Sequence, residues 1–218
     1  IVVAGLGWYT IDRQTSQIKN ATDTRMFEQV NDLTKFITTE IRDNQQSTNY
    51  ALKTARHIFQ SKGDLNIDDN ARVKLRVVNH RTKTGRNLQL PVWKLGDDKL
   101  QKNHRLVDRV KQITGADVSV FQKIPNGYCR ISTTVKGENG KRKVGTFVPS
   151  NSKVIQTIQA GQTYTGRAKV IDEWYLTAQA PLRKDGEIVG MIGVGVKEKD
   201  MQGLREIFLD KTYFSNGY

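Results

Sequence analysis

Residues 174–196 read WYLTAQAPLRKDGEIVGMIGVGV and contain two largely apolar runs separated by a tight turn. In the runs 174–182 and 187–196 the hydrophobic pattern has a period of two, which is typical of β-strands. The dipeptide Asp185-Gly186 lies between them and favours the backbone geometry of a two-residue hairpin turn. Because so short a connection cannot carry a parallel crossover, this segment predicts an antiparallel hairpin.

The same period of two extends back to Ala116 and predicts further strands before the hairpin. These strands are 118–122, 128–135, 144–148 and 163–171, with the turn dipeptide Asn139-Gly140 among them. The last three strands of the chain are joined tightly, so we expect an antiparallel meander. Residues 150–159 predict a short helix, because their apolar side chains fall on one helical face.

The N-terminal part of the chain predicts one long helix. Residues 8–62 contain neither glycine nor proline, and apolar residues recur there at spacings of three and four. The stripe consists of Met26, Val30, Leu33, Ile37 and Ile41. At ~1.5 Å per residue, a helix of about 50 residues is ~75 Å long, so we expect it to project, bend or pair. Between this helix and Ala116, residues 73–79 and 87–95 predict strands, and a helix follows Asn103.

The first nine residues carry only apolar and small side chains and end in the aromatic pair Trp8-Tyr9. One interpretation is the end of a transmembrane helix, because tryptophan and tyrosine collect at the level of the lipid headgroups. The alternatives are a remnant of a tag or a buried first strand. Nothing in the sequence reaches the ~18 consecutive apolar residues that a spanning helix needs.

The charge balance is basic, with 35 Lys and Arg against 22 Asp and Glu and a net charge of +13. A basic nucleic-acid-binding protein is therefore the alternative function from another class. The basic residues scatter, however, and do not form a stripe interleaved with aromatic residues, so we expect no nucleic-acid partner. The single cysteine, Cys129, excludes an intrachain disulfide and a Cys-rich zinc site.

The sequence contains no assembled catalytic set, and we expect no enzyme activity, no metal and no cofactor. The three histidines lack ligand spacing. A loop beginning at Asp64 resembles the start of an EF-hand loop but lacks its central glycine and its final glutamate. Gly190, Gly193 and Gly195 lie in an apolar run with no helix start behind them, so we expect packing or bulge glycines there.

Six segments, taken in order, resemble one family of sensor domains. They are VSVFQ (118–122), RISTTV (130–135), GT (145–146), YTGRA (164–168), WYLTA (174–178) and residues 186–196. Their order and spacing resemble Cache domains of the fused Cache-three/Cache-two type, over about residues 72–198. The sequence departs from the family pattern at Gln179-Ala180-Pro181, where an aromatic residue often precedes the proline segment, and this leaves one wall of the pocket in doubt.

The resemblance implies a PAS-like sensing module of a bacterial transmembrane receptor, anchored in the cell membrane and facing the periplasm or the outside. The expected fold class is α+β, with a long N-terminal helix packed on a PAS-like antiparallel sheet and a cap of loops and a helix. The expected organisation is a transmembrane end at 1–9, a long helix at 10–62, a ligand-binding domain at 63–198, and an exit helix with the start of a following module at 199–218. A chemoreceptor is favoured, and the sensor of a histidine kinase or a diguanylate cyclase is the alternative.

The partners expected from this resemblance are a small molecule, a carboxylate or an amino acid, and a second copy of the chain paired through the long helix. Arg130 and Arg167 are the charged candidates for binding, because a guanidinium binds a carboxylate with two hydrogen bonds. For each of them an exposed arginine is the alternative. The full set of expected ligand-binding residues is Phe121, Arg130, Ser132, Thr146, Tyr164, Arg167, Trp174 and Tyr175.

Strand alternation adds two expectations about these side chains. Trp174 and Tyr175 are neighbours in one strand, so they face opposite sides of the sheet, and at most one faces the ligand. Arg130, Ser132 and Thr134 are spaced by two residues, so they share one face if their strand is regular.

Overall fold

The computed structural model describes residues 2–79, 82, 84–201 and 203, with side chains from residue 13 onward. The chain packs as two units, residues 1–42 and residues 43–218. Helix α1 (Val2–Gln60) contributes to both units, which agrees with the long helix predicted from the sequence. Among the described residues, no helix combines the length and the apolarity that crossing a bilayer requires.

The first unit is a single helical segment whose described side chains are mostly exposed. None of residues 13–42 is buried. Of the predicted apolar stripe, Met26 exposes 57% and Val30 61% of its surface, while Leu33 and Ile37 are partly buried. Exposed apolar side chains at helical spacing leave a face that a partner helix would cover.

The second unit is a nine-stranded sheet with two short helices, α2 (Arg105–Thr114) and α3 (Lys153–Gln159). The strands are β1 (Leu65–Asn79), β2 (Gly85–Leu95), β3 (Asp98–Lys99), β4 (Asp117–Ile124), β5 (Gly127–Thr133), β6 (Thr146–Pro149), β7 (Tyr164–Val170), β8 (Glu173–Lys184) and β9 (Glu187–Lys197). Their order in the sheet is β3-β2-β1-β6-β5-β4-β9-β8-β7. Neighbouring strands are antiparallel except for β1 and β6, which are parallel.

This architecture confirms the predicted α+β fold and the meander of the last three strands. The turn between β8 and β9 contains Asp185 and Gly186, both with positive φ (51° and 82°), as the hairpin dipeptide predicted. Strand β1 begins at Leu65, well before the predicted start. The exit helix expected at 199–218 falls largely on residues outside the described part of the chain.

One face of the sheet, the helix face, is covered by the C-terminal part of α1 and by α2. Leu52, Ala55 and Phe59 of α1 are at most 5% exposed and belong to the main hydrophobic core. Helix α2 adds Val107 and Val110, which are fully buried in the same core. Apolar burial on this face therefore holds the predicted long helix on the sheet.

The other face of the sheet, the cavity face, carries a smaller core beneath α3. This helix begins at Ser152, whose hydroxyl accepts a hydrogen bond from the backbone N–H of Ile155 at 3.2 Å. Ile155 and Ile158 are fully buried and pack with Phe121 of β4. Because α3 is only two turns long, it leaves part of this face open, and the candidate site lies there.

Candidate functional site

A cavity of about 750 Å³ opens on the cavity face, between the sheet and α3. Strands β4 to β8 and the first turn of α3 all contribute to its wall. Six of the eight residues expected to bind ligand line this cavity, namely Phe121, Arg130, Thr146, Tyr164, Arg167 and Trp174. The volume falls within the range typical of small-molecule sites.

Arg130 is held in the wall of the cavity by its neighbours on β4 and β6. Its Nη1 donates a hydrogen bond to Oγ1 of Thr146 at 2.9 Å, and Thr146 Oγ1 in turn donates to the backbone carbonyl of Lys143 at 2.9 Å. The guanidinium carbon lies 5.0 Å from the centre of the Phe121 ring, a cation–π distance. These contacts fix the orientation of the guanidinium.

Arg130 forms no contact ion pair among the described residues, although the charge of the nearby Asp117 partly stabilises its guanidinium. The residue is only 5% exposed, and burial lowers the pKa of its guanidinium to about 10, so the side chain remains protonated near neutral pH. Its Nε is buried without a hydrogen-bond acceptor. Buried charges in proteins are nearly always paired, because desolvation of an isolated ion costs several kcal/mol. An anion bound in the cavity would supply the missing partner.

A second, much smaller compartment of about 30 Å³ adjoins the cavity and shares Phe121, Arg130, Val170 and Gln179 with it. Gly193 and Gly195 of β9 line the compartment. Because they carry no side chains, the middle of the sheet leaves space at this point. Room of this size accommodates one or two water molecules or a single polar group of a ligand.

The wall of the compartment includes a partly buried carboxylate, Asp117, whose oxygens accept three hydrogen bonds. The donors are Nζ of Lys111 at 2.7 Å, Oγ1 of Thr134 at 2.8 Å and the hydroxyl of Tyr175 at 3.1 Å. Burial alone would raise the pKa of Asp117, but these hydrogen bonds and the charge of Lys111 bring the pKa below its ordinary value. Burial and the neighbouring Asp117 raise the pKa of Tyr175, so Tyr175 keeps its proton and acts as a donor.

In a comparison with known protein families, residues 12–218 match the Cache 3/Cache 2 fusion domain. The chain belongs to this family. The match covers nearly the whole chain and extends beyond the segment 72–198 on which the resemblance rests. No curated protein and no solved structure is significantly similar to the chain.

Membership in the family establishes the general role of this Cache domain. Cache domains are extracytoplasmic modules that sense small molecules for signal transduction, and they are typically non-catalytic. Within the described residues, no group of three or more His, Cys, Asp or Glu side chains is placed to hold a metal ion. The cavity at Arg130 is the feature of this Cache domain that fits the sensing role.

Arg167, the second charged candidate, already has a carboxylate partner. Its Nε and Nη2 donate to the two carboxylate oxygens of Glu198 at 2.5 and 2.7 Å, and its guanidinium carbon lies 4.6 Å from the ring of Trp174. The Arg167 side chain is 56% exposed. In β7, Arg167 alternates with Ala168, which pairs with Tyr175, so the side chains of Arg167 and Trp174 extend from the opposite face of the sheet. These two residues therefore border the cavity at the β7 edge of the sheet.

The remaining candidates occupy three different places in the Cache domain. Tyr164 lines the cavity, and its hydroxyl donates to the backbone carbonyl of Arg167 at 2.8 Å. Tyr175 lines the small compartment and not the main cavity. Ser132 lines neither of these two spaces, because its hydroxyl donates to the backbone carbonyl of Asn103 near α2, at 2.6 Å.

A β-bulge explains the position of Ser132 and contradicts the expectation that Arg130, Ser132 and Thr134 share one face. Arg130 pairs with Phe121, whereas Ser132 pairs with Val120, so one extra residue of β5 lies between the two pairs. Phe121 and Val120 are consecutive and face opposite sides of β4. The bulge therefore turns Arg130 toward the cavity and Ser132 toward the helix face.

The list of candidates from the sequence omits the polar residues Asp117, Ser119, Thr177 and Gln179, which line the small compartment. A usable signal for Gln179 exists in the sequence. Tyr175, Thr177 and Gln179 are polar residues at a period of two in an otherwise apolar strand, and all three line the compartment. Polar side chains repeating on one face of a buried strand indicate a polar site on that face.

Proposed function

We propose that this Cache domain is the ligand-binding part of a bacterial chemoreceptor and that its ligand is a small carboxylate held by Arg130. The observation that carries the proposal is the buried, unpaired guanidinium in the wall of the 750 Å³ cavity. A protein retains such a costly charge most readily where an external anion neutralises it. The cavity supplies apolar walls for burial, and Arg130 fixes the orientation of the ligand.

The geometry of the guanidinium favours a carboxylate over other anions. Nη1 of Arg130 already donates to Thr146, which leaves the edge formed by Nε and Nη2. Arg167 uses this same edge to bind the carboxylate of Glu198 with two nearly parallel hydrogen bonds. The planar edge matches the spacing of two carboxylate oxygens, so the ligand carboxylate would bind Arg130 as Glu198 binds Arg167.

The same contacts suggest how the domain passes on the binding event. Arg167 of β7 holds Glu198, and Lys199 binds Glu173 at the start of β8, so two ion pairs connect the cavity wall to residues 198–200. A ligand shifts a conformational equilibrium only if it binds one state more tightly. A displacement of β7 on ligand binding would reach the C-terminal exit of the domain through these pairs.

A thermal-shift screen tests the proposal with defined probes. Propionate at 100 times its dissociation constant would stabilise the folded chain by about 2.7 kcal/mol. For a chain of this length we expect the melting temperature to rise by roughly 5–10 °C. Propionamide has nearly the same shape but no charge, so it serves as the matched control and is expected to give no shift. Equal shifts with both compounds, or no shift with any short carboxylate, would contradict the proposal.

We also propose that the receptor is a parallel homodimer, paired through the exposed stripe of α1. Burying the stripe against a second copy would remove apolar side chains from water, each worth about 1.5–3 kcal/mol when fully buried. In the intact receptor in its membrane, cysteine at Leu33 or Ile37 should crosslink to the same residue of the second copy. Native Cys129 does not interfere, because burial raises the pKa of its thiol to about 12.

The control for the crosslinking experiment is Thr39→Cys. Thr39 is exposed and lies roughly opposite Leu33 and Ile37 on the helix, at ~100° per residue. It is expected to crosslink much more slowly than either stripe position. Equal crosslinking rates at Thr39 and at the stripe positions would exclude this dimer. So would the absence of crosslinking at both Leu33 and Ile37.

A further inference from the structure

The wall that contains Arg130 also presents a buried acceptor without a donor. Gln179 is 8% exposed, and its Oε1 has no hydrogen-bond partner in the described part of the chain. Gln179 lines both the main cavity and the small compartment, as Arg130 does. Two unsatisfied polar groups, one a donor and one an acceptor, therefore border the same two spaces. Each such group is costly when it is left unpaired, so both indicate a bound molecule.

The small compartment limits what that molecule places beside Arg130. Its volume of about 30 Å³ admits a single small polar group, and its lining combines apolar side chains with polar ones, among them Tyr175, Thr177 and Gln179. The space depends on Gly193, because a Cβ at this position would lie 3.0 Å from Cγ of Gln179. A short carboxylate bound to Arg130 can carry a polar group on the adjacent carbon. That group would occupy the compartment and would donate a hydrogen bond to the unsatisfied Oε1 of Gln179.

We infer that the ligand is a short 2-hydroxycarboxylate, with its carboxylate on Arg130 and its 2-hydroxyl group donating a hydrogen bond to Oε1 of Gln179. The inference rests on the proposed function, because it requires the carboxylate to bind Arg130. A hydroxyl group brings one donor, and Gln179 offers one unpartnered acceptor. An ammonium group brings three donors and a positive charge, while the carboxylate that lines the compartment, Asp117, already forms an ion pair with Lys111 at 2.7 Å. A 2-amino acid therefore binds less tightly than the 2-hydroxy acid of the same length.

Calorimetric titration of the full chain with three acids of equal carbon number tests the inference. The acids are propionate, lactate (each enantiomer separately) and alanine. We expect one lactate enantiomer to bind at least about tenfold more tightly than propionate, because only lactate satisfies the buried acceptor. The same enantiomer should also bind more tightly than alanine. This comparison uses the unaltered protein, so it does not depend on whether a variant folds.

Gln179→Met assigns the effect to the amide, because methionine has a similar length and is unbranched. In this variant the preference for lactate over propionate should fall to within about twofold. Gln162→Met, at an exposed position outside both spaces, is the control and should retain the preference. A preference that survives in Gln179→Met would overturn the assignment to Gln179.

The titrations separate a failure of the inference from a failure of the proposed function. Propionate that binds as tightly as both lactate enantiomers, or alanine that binds more tightly than either, overturns the inference and leaves the carboxylate site in place. The absence of binding by all of these acids, together with the absence of a shift by any short carboxylate in the thermal screen, overturns both.

Discussion

Replacing Arg130 with methionine is expected to abolish the binding of carboxylates while leaving the domain as stable as before or more stable. The two hydrogen bonds from the free guanidinium edge to a carboxylate are charge-assisted and worth about 1.5–3 kcal/mol each. Their loss corresponds to a decrease in propionate affinity of at least about 100-fold. The other cations that line the cavity, Lys153, Arg167 and Lys169, are exposed to solvent, so we expect them to compensate little for the loss.

In the absence of ligand, the free energy of unfolding of the Arg130→Met variant is expected to equal or exceed that of the unaltered chain. Arg130 is 5% exposed and forms no ion pair among the described residues, so the folded state bears the cost of burying its charge. Methionine fills much of the same space against Phe121 without that cost. Thr146 loses one partner, but its hydroxyl still donates to the carbonyl of Lys143. Urea unfolding without ligand measures this change.

The matched control is Arg167→Met, which removes a guanidinium of the same chemistry whose edge already holds Glu198. Because Arg167 is 56% exposed, the loss of its ion pair should change stability only slightly. Propionate should bind this variant with an affinity within about threefold of the unaltered chain. If Arg167→Met abolished binding and Arg130→Met did not, the ligand would be held on the other side of β7.

Short-range sequence patterns were sufficient to predict most of the sheet. The hairpin at Asp185-Gly186 and the period of two on either side of it are local properties, and both appear in the structure. The parallel contact between β1 and β6 was beyond such reasoning, because it joins Val78 to Thr146 across a long stretch of chain. Pairing at this range is decided by packing of the whole domain, which no local pattern records.

The candidate site was predicted less completely, and Arg130 and Ser132 show why. Period-two reasoning places both on one face, but the bulge between the pairs Phe121–Arg130 and Val120–Ser132 separates them. A bulge depends on how two strands fit together, so the sequence of one strand does not reveal it. In the same way, the sequence did not show that Arg167 is ion-paired and Arg130 is not. The carboxylate that binds Arg167 belongs to Glu198, which lies 31 residues further along the chain.

Gly190→Ala is expected to produce the largest loss of stability among the predictions made for this domain. A Cβ at this position would lie 2.2 Å from the carbonyl oxygen of Phe121 and 2.5 Å from the ring of Trp93. Neither neighbour can yield easily: the carbonyl belongs to β4, which pairs with β9, and Trp93 is 1% exposed in the main core. Relieving the contact requires β4 and β9 to separate or the core to shift, which costs about 3 kcal/mol or more. For a chain of this length the melting temperature should fall by roughly 6–12 °C.

Gly137→Ala is the control, because the nearest atoms there are the flexible end of the Lys143 side chain. That side chain can rotate away, so we expect a change within about 0.5 kcal/mol. Neither glycine has a positive φ, so the comparison isolates the steric effect from backbone strain. Equal stability of the two variants would mean that Gly190 of β9 does not lie against the carbonyl of Phe121 and the ring of Trp93. The pairing of Gly193 with Gln179, which shapes the small compartment, would then be in error as well, because it belongs to the same strand.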